Sequence, residues 1–105
     1  MSFIIIYTTH PSKENAQKLA NHLLQKKMVA CANIFPIKSM YWWNGTIENE
    51  QEYVSIIKTT PENWEISQKE ISEIHPYEVP CIIKIEVEAN KEYEKWIYSM
   101  VHIYW

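Results

Sequence analysis

The order of hydrophobic patterns predicts an α+β sandwich: strand, helix, strand, strand, helix, strand, and one further helix at the C-terminal end. Three observations carry that prediction. A continuous apolar run, Phe3 to Thr9, is followed by apolar residues at helical spacing. The dipeptide Asn44-Gly45 joins two long runs rich in β-branched and aromatic residues. Between Cys81 and Glu88 apolar and charged residues alternate before a second helical stripe begins.

The first run shows no alternation, which suits a central strand covered on both faces. His10-Pro11 breaks it, and Ser12 is placed to cap the next element. Ala16, Leu19, Ala20, Leu23, Leu24 and Met28 then recur three and four residues apart, with Lys13, Glu14, Lys18, Gln25 and Lys26 on the other side. The hairpin follows, its arms drawn from Val29 to Trp43 and from Thr46 to Thr60. Asn-Gly suits a type I′ turn, which needs two residues at positive φ, and Gly45 is the only glycine in the chain. Each arm is roughly twice the usual strand of ~5–6 residues, so the hairpin should overhang the body of the domain. Pro36 cannot donate to a ladder and marks the first arm as an edge strand or a bulge.

Thr60-Pro61-Glu62 is a helix start, with Trp64, Ile71 and Ile74 as expected core residues, and His75-Pro76 ends that helix. In the fourth strand Cys81, Ile83, Ile85 and Val87 face one way and Lys84, Glu86 and Glu88 the other. Asn90 can cap a last helix striped by Tyr93, Trp96, Ile97, Met100, Val101 and Tyr104. This is the split βαβ, or ferredoxin-like (βαββαβ), order. Right-handed crossovers put strands one and three at the centre and strand two at an edge. An open edge on an over-long hairpin is an aggregation hazard unless it is paired, and a second copy of the chain is the expected partner.

A chain of 105 residues suits a single domain spanning 1–105. The net charge is −3, all thirteen acids are Glu and all ten bases are Lys. Without arginine or a basic patch, nucleic acid is not an expected partner. The N-terminal run reads as neither a signal peptide nor a membrane span, and Cys31 and Cys81 form no C-x-x-C pair. Both are expected as free thiols in a cytoplasmic protein. The five tryptophans exceed what so small a core needs, so some should sit at interfaces.

Four ordered motifs are more specific: Met28-Val29-Ala30-Cys31-Ala32-Asn33-Ile34, Tyr41-Trp42-Trp43-Asn44-Gly45, Ile57-Lys58-Thr59-Thr60 and His75-Pro76-Tyr77-Glu78-Val79-Pro80. Together they resemble the CutA family of divalent-cation tolerance proteins over essentially the whole chain. The resemblance implies a ferredoxin-like protomer assembled as a homotrimer through the long hairpin. It also implies a cytoplasmic role in tolerance to copper and other divalent ions, and an architecture similar to the trimeric PII signalling proteins. Family proposals for a metal site use a cysteine at the end of the first strand and histidines before the Pro-Tyr segment. Here Tyr7 stands at the first position, and His75 is preceded by Ile74.

The candidate metal ligands are therefore His75 and Cys31, with copper or another divalent ion as a weakly held, non-obligatory occupant. Both cysteines also suit plain packing, Cys81 on the apolar side of its strand and Cys31 between alanines. The His75–Pro80 loop is either a pre-organised pocket wall or a stiff crossover in which His75 serves helix carbonyls. His10, His22 and His102 are expected at the surface. Tyr41, Trp42 and Trp43 are the expected trimer anchors. Lys58, opposite Cys31 if no bulge intervenes, joins Tyr77 and Glu78 in the alternative expectation, a PII-like module holding a small anionic ligand between subunits. No nucleophile–base set, H-E-x-x-H motif or glycine-rich phosphate loop points to an enzyme.

Overall fold

The structure, a computed structural model, describes residues 2–104. Met1 and Trp105 lie outside the described residues. The elements are β1 (Phe3–His10), α1 (Lys13–Gln25), β2 (Cys31–Trp43), β3 (Thr46–Thr59), α2 (Trp64–Ile74), β4 (Ile82–Val87) and α3 (Lys91–Met100), with a short 3₁₀ turn at Pro61–Asn63 before α2. The four strands form one antiparallel sheet in the order β2-β3-β1-β4. Strands one and three are central and strand two is an edge, as the crossover rule requires.

The local signals act as their chemistry dictates. Ser12 Oγ accepts from Asn15 N at 3.1 Å and caps α1. Asn44 and Gly45 take φ of 51° and 80°, the positive pair a type I′ turn needs. Pro36 lies on the edge strand, and the β2–β3 register runs unbroken from Cys31 opposite Lys58 to Trp43 opposite Thr46. The bulge that Pro36 left open does not form, because an edge strand has an unpaired side to which a missing N–H can be turned. Thr60 precedes the turn at Pro61, yet its side chain makes no capping bond and its hydroxyl is buried without a partner.

Cross-strand register divides the sheet into two faces. On the first lie Ile4, Ile6 and Thr8 of β1 with Thr59, Ile57 and Ser55 of β3. α1 and α2 cover this helix face, where Ile4, Ile6, Leu19, Leu23, Met28, Val29, Ile57 and Ile71 form the core cluster. The second face carries Ile5, Tyr7 and Thr9 beside Lys58, Ile56 and Val54, and then Ile83 and Ile85 of β4. Its Phe3 end is closed by α3, where Tyr93 packs edge-on to Phe3 and takes a 3.2 Å hydrogen bond from Lys58 Nζ. The apolar side expected of strand four is thus its open side, and Ile83 and Ile85 remain 47% and 44% exposed.

Two helix expectations change. Ile74, expected in the core, is 43% exposed because it sits at the last turn of α2, beyond the reach of the sheet. α3 ends at Met100, so Val101 and Tyr104 belong to the chain beyond it. That segment is held by buried Asn63, whose amide donates to Met28 O at 3.0 Å and His102 O at 2.7 Å and accepts from Tyr104 N at 2.9 Å. β1 ends opposite Tyr53, so the hairpin continues alone towards its Asn44-Gly45 tip. This overhang stretches the molecule to 44 × 26 × 21 Å.

Candidate functional site

Where β1 ends and the hairpin leaves the sheet, the loop between α2 and β4 folds over the open face. His75 fixes that loop. Its ring lies within 2.7 Å of Thr9 O through Nε2, while Nδ1 accepts the Tyr77 N–H at 3.1 Å. A carbonyl only accepts, so Nε2 carries the proton and both ring nitrogens are engaged. His10 stacks on this ring at 5.3 Å and bonds Ser55 Oγ at 2.8 Å through Nε2. Contrary to the surface position expected of it, His10 is only 1% exposed. Burial, reinforced by the neighbouring His75 and only partly opposed by Glu52, lowers its pKa to about 4. His10 continues the Ile4, Ile6, Thr8 side of β1, so it lies on the helix face beside Ser55. His22 is half-buried and His102 exposed.

The loop places Tyr77 over the hairpin, its hydroxyl donating to Glu52 Oε2 at 2.5 Å. Burial, then this bond and the carboxylate charge, push the Tyr77 phenol well above its ordinary value. Glu52 is buried at 5% exposure, and nothing in the sequence distinguished it from the other acids of β3. Glu48, Glu50 and Glu52 fall two residues apart, so all three face the open side. With Tyr7, Tyr41, Trp43, Tyr77, Glu78 and Cys81 they line a cleft of about 810 Å³. Burial and then Glu52 raise the Cys81 thiol, which suits a packed rather than a reactive sulfur.

The sequence-derived site residues are distributed unevenly. Tyr77 and Glu78 meet in the cleft, with Tyr41 and Trp43 on its far wall. Trp42 points to the opposite side of the ribbon and is 72% exposed. Lys58 lies opposite Cys31 as the register requires, six residues along β3 from Glu52 and so about 20 Å away. Within one chain it therefore does not join Tyr77 and Glu78. Nor do His75 and Cys31 meet. Cys31 is level with Ile5 and His75 with Thr9, a separation of at least ~13 Å along β1. With both His75 nitrogens occupied, these two residues do not fit a metal site in one chain. Among the described residues no three His, Cys, Asp or Glu side chains are grouped to hold an ion.

Fold and cleft define a ferredoxin-like α+β protein with an over-long hairpin and a cleft on the side of the sheet that α1 and α2 leave uncovered. The profile of the CutA1 divalent ion tolerance protein family matches residues 4–100, and the chain belongs to that family. It is 44% identical over 95 residues to the divalent-cation tolerance protein CutA of Pyrococcus horikoshii, covering 90% of this chain and 93% of that one. The crystal structure of CutA1 from that organism superposes with a TM-score of 0.92 at 43% identity, covering 94% and 98% of the two chains. A Nostoc structure described as a PII-like protein CutA in apo form gives 0.90 at 32% identity, covering 99% of this chain and 100% of that one. One from Archaeoglobus fulgidus, described as a periplasmic divalent cation tolerance protein, gives 0.92 at 44%, covering 97% and 100%.

Proposed function

We propose that this CutA-family protein acts in divalent-cation tolerance as a homotrimer, a binding protein rather than an enzyme. The observation that supports assembly is the open face itself. Ile83, Ile85, Phe35 and Trp43 are each 40–47% exposed on that side of the sheet and its overhang. Apolar exposure on that scale marks an interaction surface, and a long hairpin with a free edge is covered most economically by other copies of itself. Light scattering on the eluted peak should give three times the chain mass, and a stable monomer at micromolar concentration would overturn the reading. Copper, or a related divalent ion, is then held weakly across the assembled surface rather than by a His75–Cys31 pair within one chain. A copper titration should be unchanged by Cys31→Ala alone; loss of copper binding in that variant would return Cys31 to the ligand set.

The two free thiols and the resemblance to a cytoplasmic family favour a cytoplasmic location, whereas the Archaeoglobus fulgidus protein is described as periplasmic. No helix among the described residues is long and apolar enough to cross a membrane. A second reading, a PII-like module with ligand clefts between subunits, draws on the Nostoc protein's description and on Tyr77 and Glu78 at the cleft wall. Lys58 would reach such a ligand only from a neighbouring copy.

A further inference from the structure

A second cavity lies on the helix side of the sheet, between α1 and the end of α2. It holds about 260 Å³, and among the described residues no carboxylate lines it. Asn15, Lys18 and His22 fall three and four residues apart, so α1 turns all three to one side. Leu19 lies among them, and Ile74 and Pro76 supply apolar surface from the end of α2 and the loop beyond. His10 lines the cavity from the end of β1, at 1% exposure. His75 stiffens the wall, because Thr9 O and the Tyr77 N–H occupy both of its ring nitrogens.

The polar groups of this lining are uncommitted. Lys18 has no ion-pair partner among the described residues. Asn15 Oδ1 accepts from Ser12 Oγ at 2.6 Å, which leaves the side-chain N–H groups free to donate. His10 meets Ser55 Oγ through Nε2, and its Nδ1 makes no hydrogen bond. His22 Nε2 is buried without a hydrogen-bond partner. Glu70 Oε2 is 3.7 Å from it, too far to bond, and already takes Lys26 Nζ at 2.8 Å. Buried polar groups nearly always have partners. Four unfilled nitrogen groups around a space without acids therefore point to an acceptor arriving from outside.

The lining also selects the acceptor. A carboxylate has two oxygens, whereas a phosphate presents more and suits donors arriving from several directions. The chain has no arginine, and Lys18 supplies the point charge that lysine brings to a phosphate. Buried His10 adds a neutral donor. With the Ser55 hydroxyl donating to Nε2, its proton sits on Nδ1. The volume falls just below that usual for drug-sized ligands, so the occupant is compact. A bare phosphate would leave Leu19, Ile74 and Pro76 uncovered, and a short carbon chain would cover them.

We infer that this cavity binds a small phosphate monoester, its phosphate held by Asn15, Lys18, His22 and His10 Nδ1 and its carbon chain laid against Leu19, Ile74 and Pro76. This goes beyond the tolerance reading and does not depend on it. The site belongs to one chain and lies on the helix side, which assembly through the open face leaves free. It is also separate from the PII-like alternative, whose Tyr77 and Glu78 line the cleft on the opposite face.

Calorimetry with glycerol 3-phosphate at constant ionic strength tests it, with inorganic phosphate and glycerol as the other arms. Saturable binding of glycerol 3-phosphate is expected, roughly fivefold tighter than that of inorganic phosphate, with no heat from glycerol. Lys18→Gln should weaken it roughly tenfold. Asn15→Asp should weaken it at least as much, since it keeps an acceptor for Ser12 while replacing a donor with a charge. Lys95→Gln, the same charge change on an exposed lysine of α3, should leave binding unaltered. Nitrogen NMR of the imidazoles needs no variant: the His10 Nδ1 resonance should move on saturation and report a protonated Nδ1. Three results overturn the site: no saturable heat with either phosphate, an equal loss in Lys95→Gln, or a His10 resonance that stays still at saturation. Equal affinity for inorganic phosphate would overturn the ester and make free phosphate the ligand.

Discussion

The two faces of the sheet are built from similar residues and have opposite fates. On the helix face Ile4, Ile6 and Ile57 are fully buried beneath α1 and α2. On the open face Ile83 and Ile85 are nearly half exposed, and a few residues along the sheet three glutamates share the same side. Alternation along a strand records which side is apolar, but what covers that side is decided elsewhere. The helix face is closed by the chain's own helices and carries the stability of the protomer. The open face is left largely uncovered by the chain's own helices.

The sharpest way to break this comparison is to remove the same methyl groups from each side. Ile57→Ala leaves a cavity in a core with no room to collapse and should cost about 4 kcal/mol in urea unfolding. Ile85→Ala should cost under ~1 kcal/mol in dilute protein, where only half a side chain is involved. Ile85→Lys should leave far-ultraviolet circular dichroism intact while light scattering shows dissociation. Equal destabilisation by Ile57→Ala and Ile85→Ala in a monomeric sample would mean that the open face carries as much protomer stability as the helix face.

A second difference is titratable. His10 is sealed at the edge of the helix face and held neutral, its pKa lowered to about 4 from an ordinary value near 6.5. Because the folded pKa is the lower one, the unfolded chain takes up the proton first. The group's stability is therefore fully present above about pH 6.5 and is lost as pH falls towards 4. The loss should be about 3 kcal/mol between those limits. Glutamates titrate near the lower limit, so the check is His10→Gln, whose unfolding free energy should vary less between pH 6.5 and 5 than that of the parent chain. Identical slopes would place His10 in contact with solvent.

Much of this was legible because local chemistry decided it. Ser12 caps α1, the Asn44-Gly45 pair turns the hairpin, and Pro36 together with strand order puts β2 at an edge. What was not legible depended on distant segments meeting. Ser12 follows His10 by two residues, and nothing in that run shows that His75, from the other end of the sheet's connectivity, will stack on the imidazole. Glu52 looks like Glu50 in a list of acids until Tyr77 closes over it. Cys31 and His75 suit a soft metal as residue types, and only the register shows that β1 holds them apart. The apolar side of β4 was correctly read as a side, and its exposure was hidden because periodicity carries no information about the cover.

The smallest expected effect concerns the overhang, where the open face runs out to the tip. Gly45 has φ of 80°, and a Cβ built there would meet nothing within 4 Å. Gly45→Ala should therefore cost about 1 kcal/mol through the backbone alone, without steric displacement of any neighbour. In the isolated protomer that strain can be relieved by fraying of the last residue pairs, since the tip lies well beyond the end of β1, and the thermal midpoint should barely move. In an assembled trimer the frayed pairs include Trp43 opposite Thr46, whose ring lines the cleft wall, so relief is blocked and the full cost should appear in the assembly equilibrium. A concentration-dependent shift in Gly45→Ala, with an unchanged protomer, is thus the signature of a tip held by a neighbour. A shift of equal size at every concentration would show instead that the turn is held by the protomer itself.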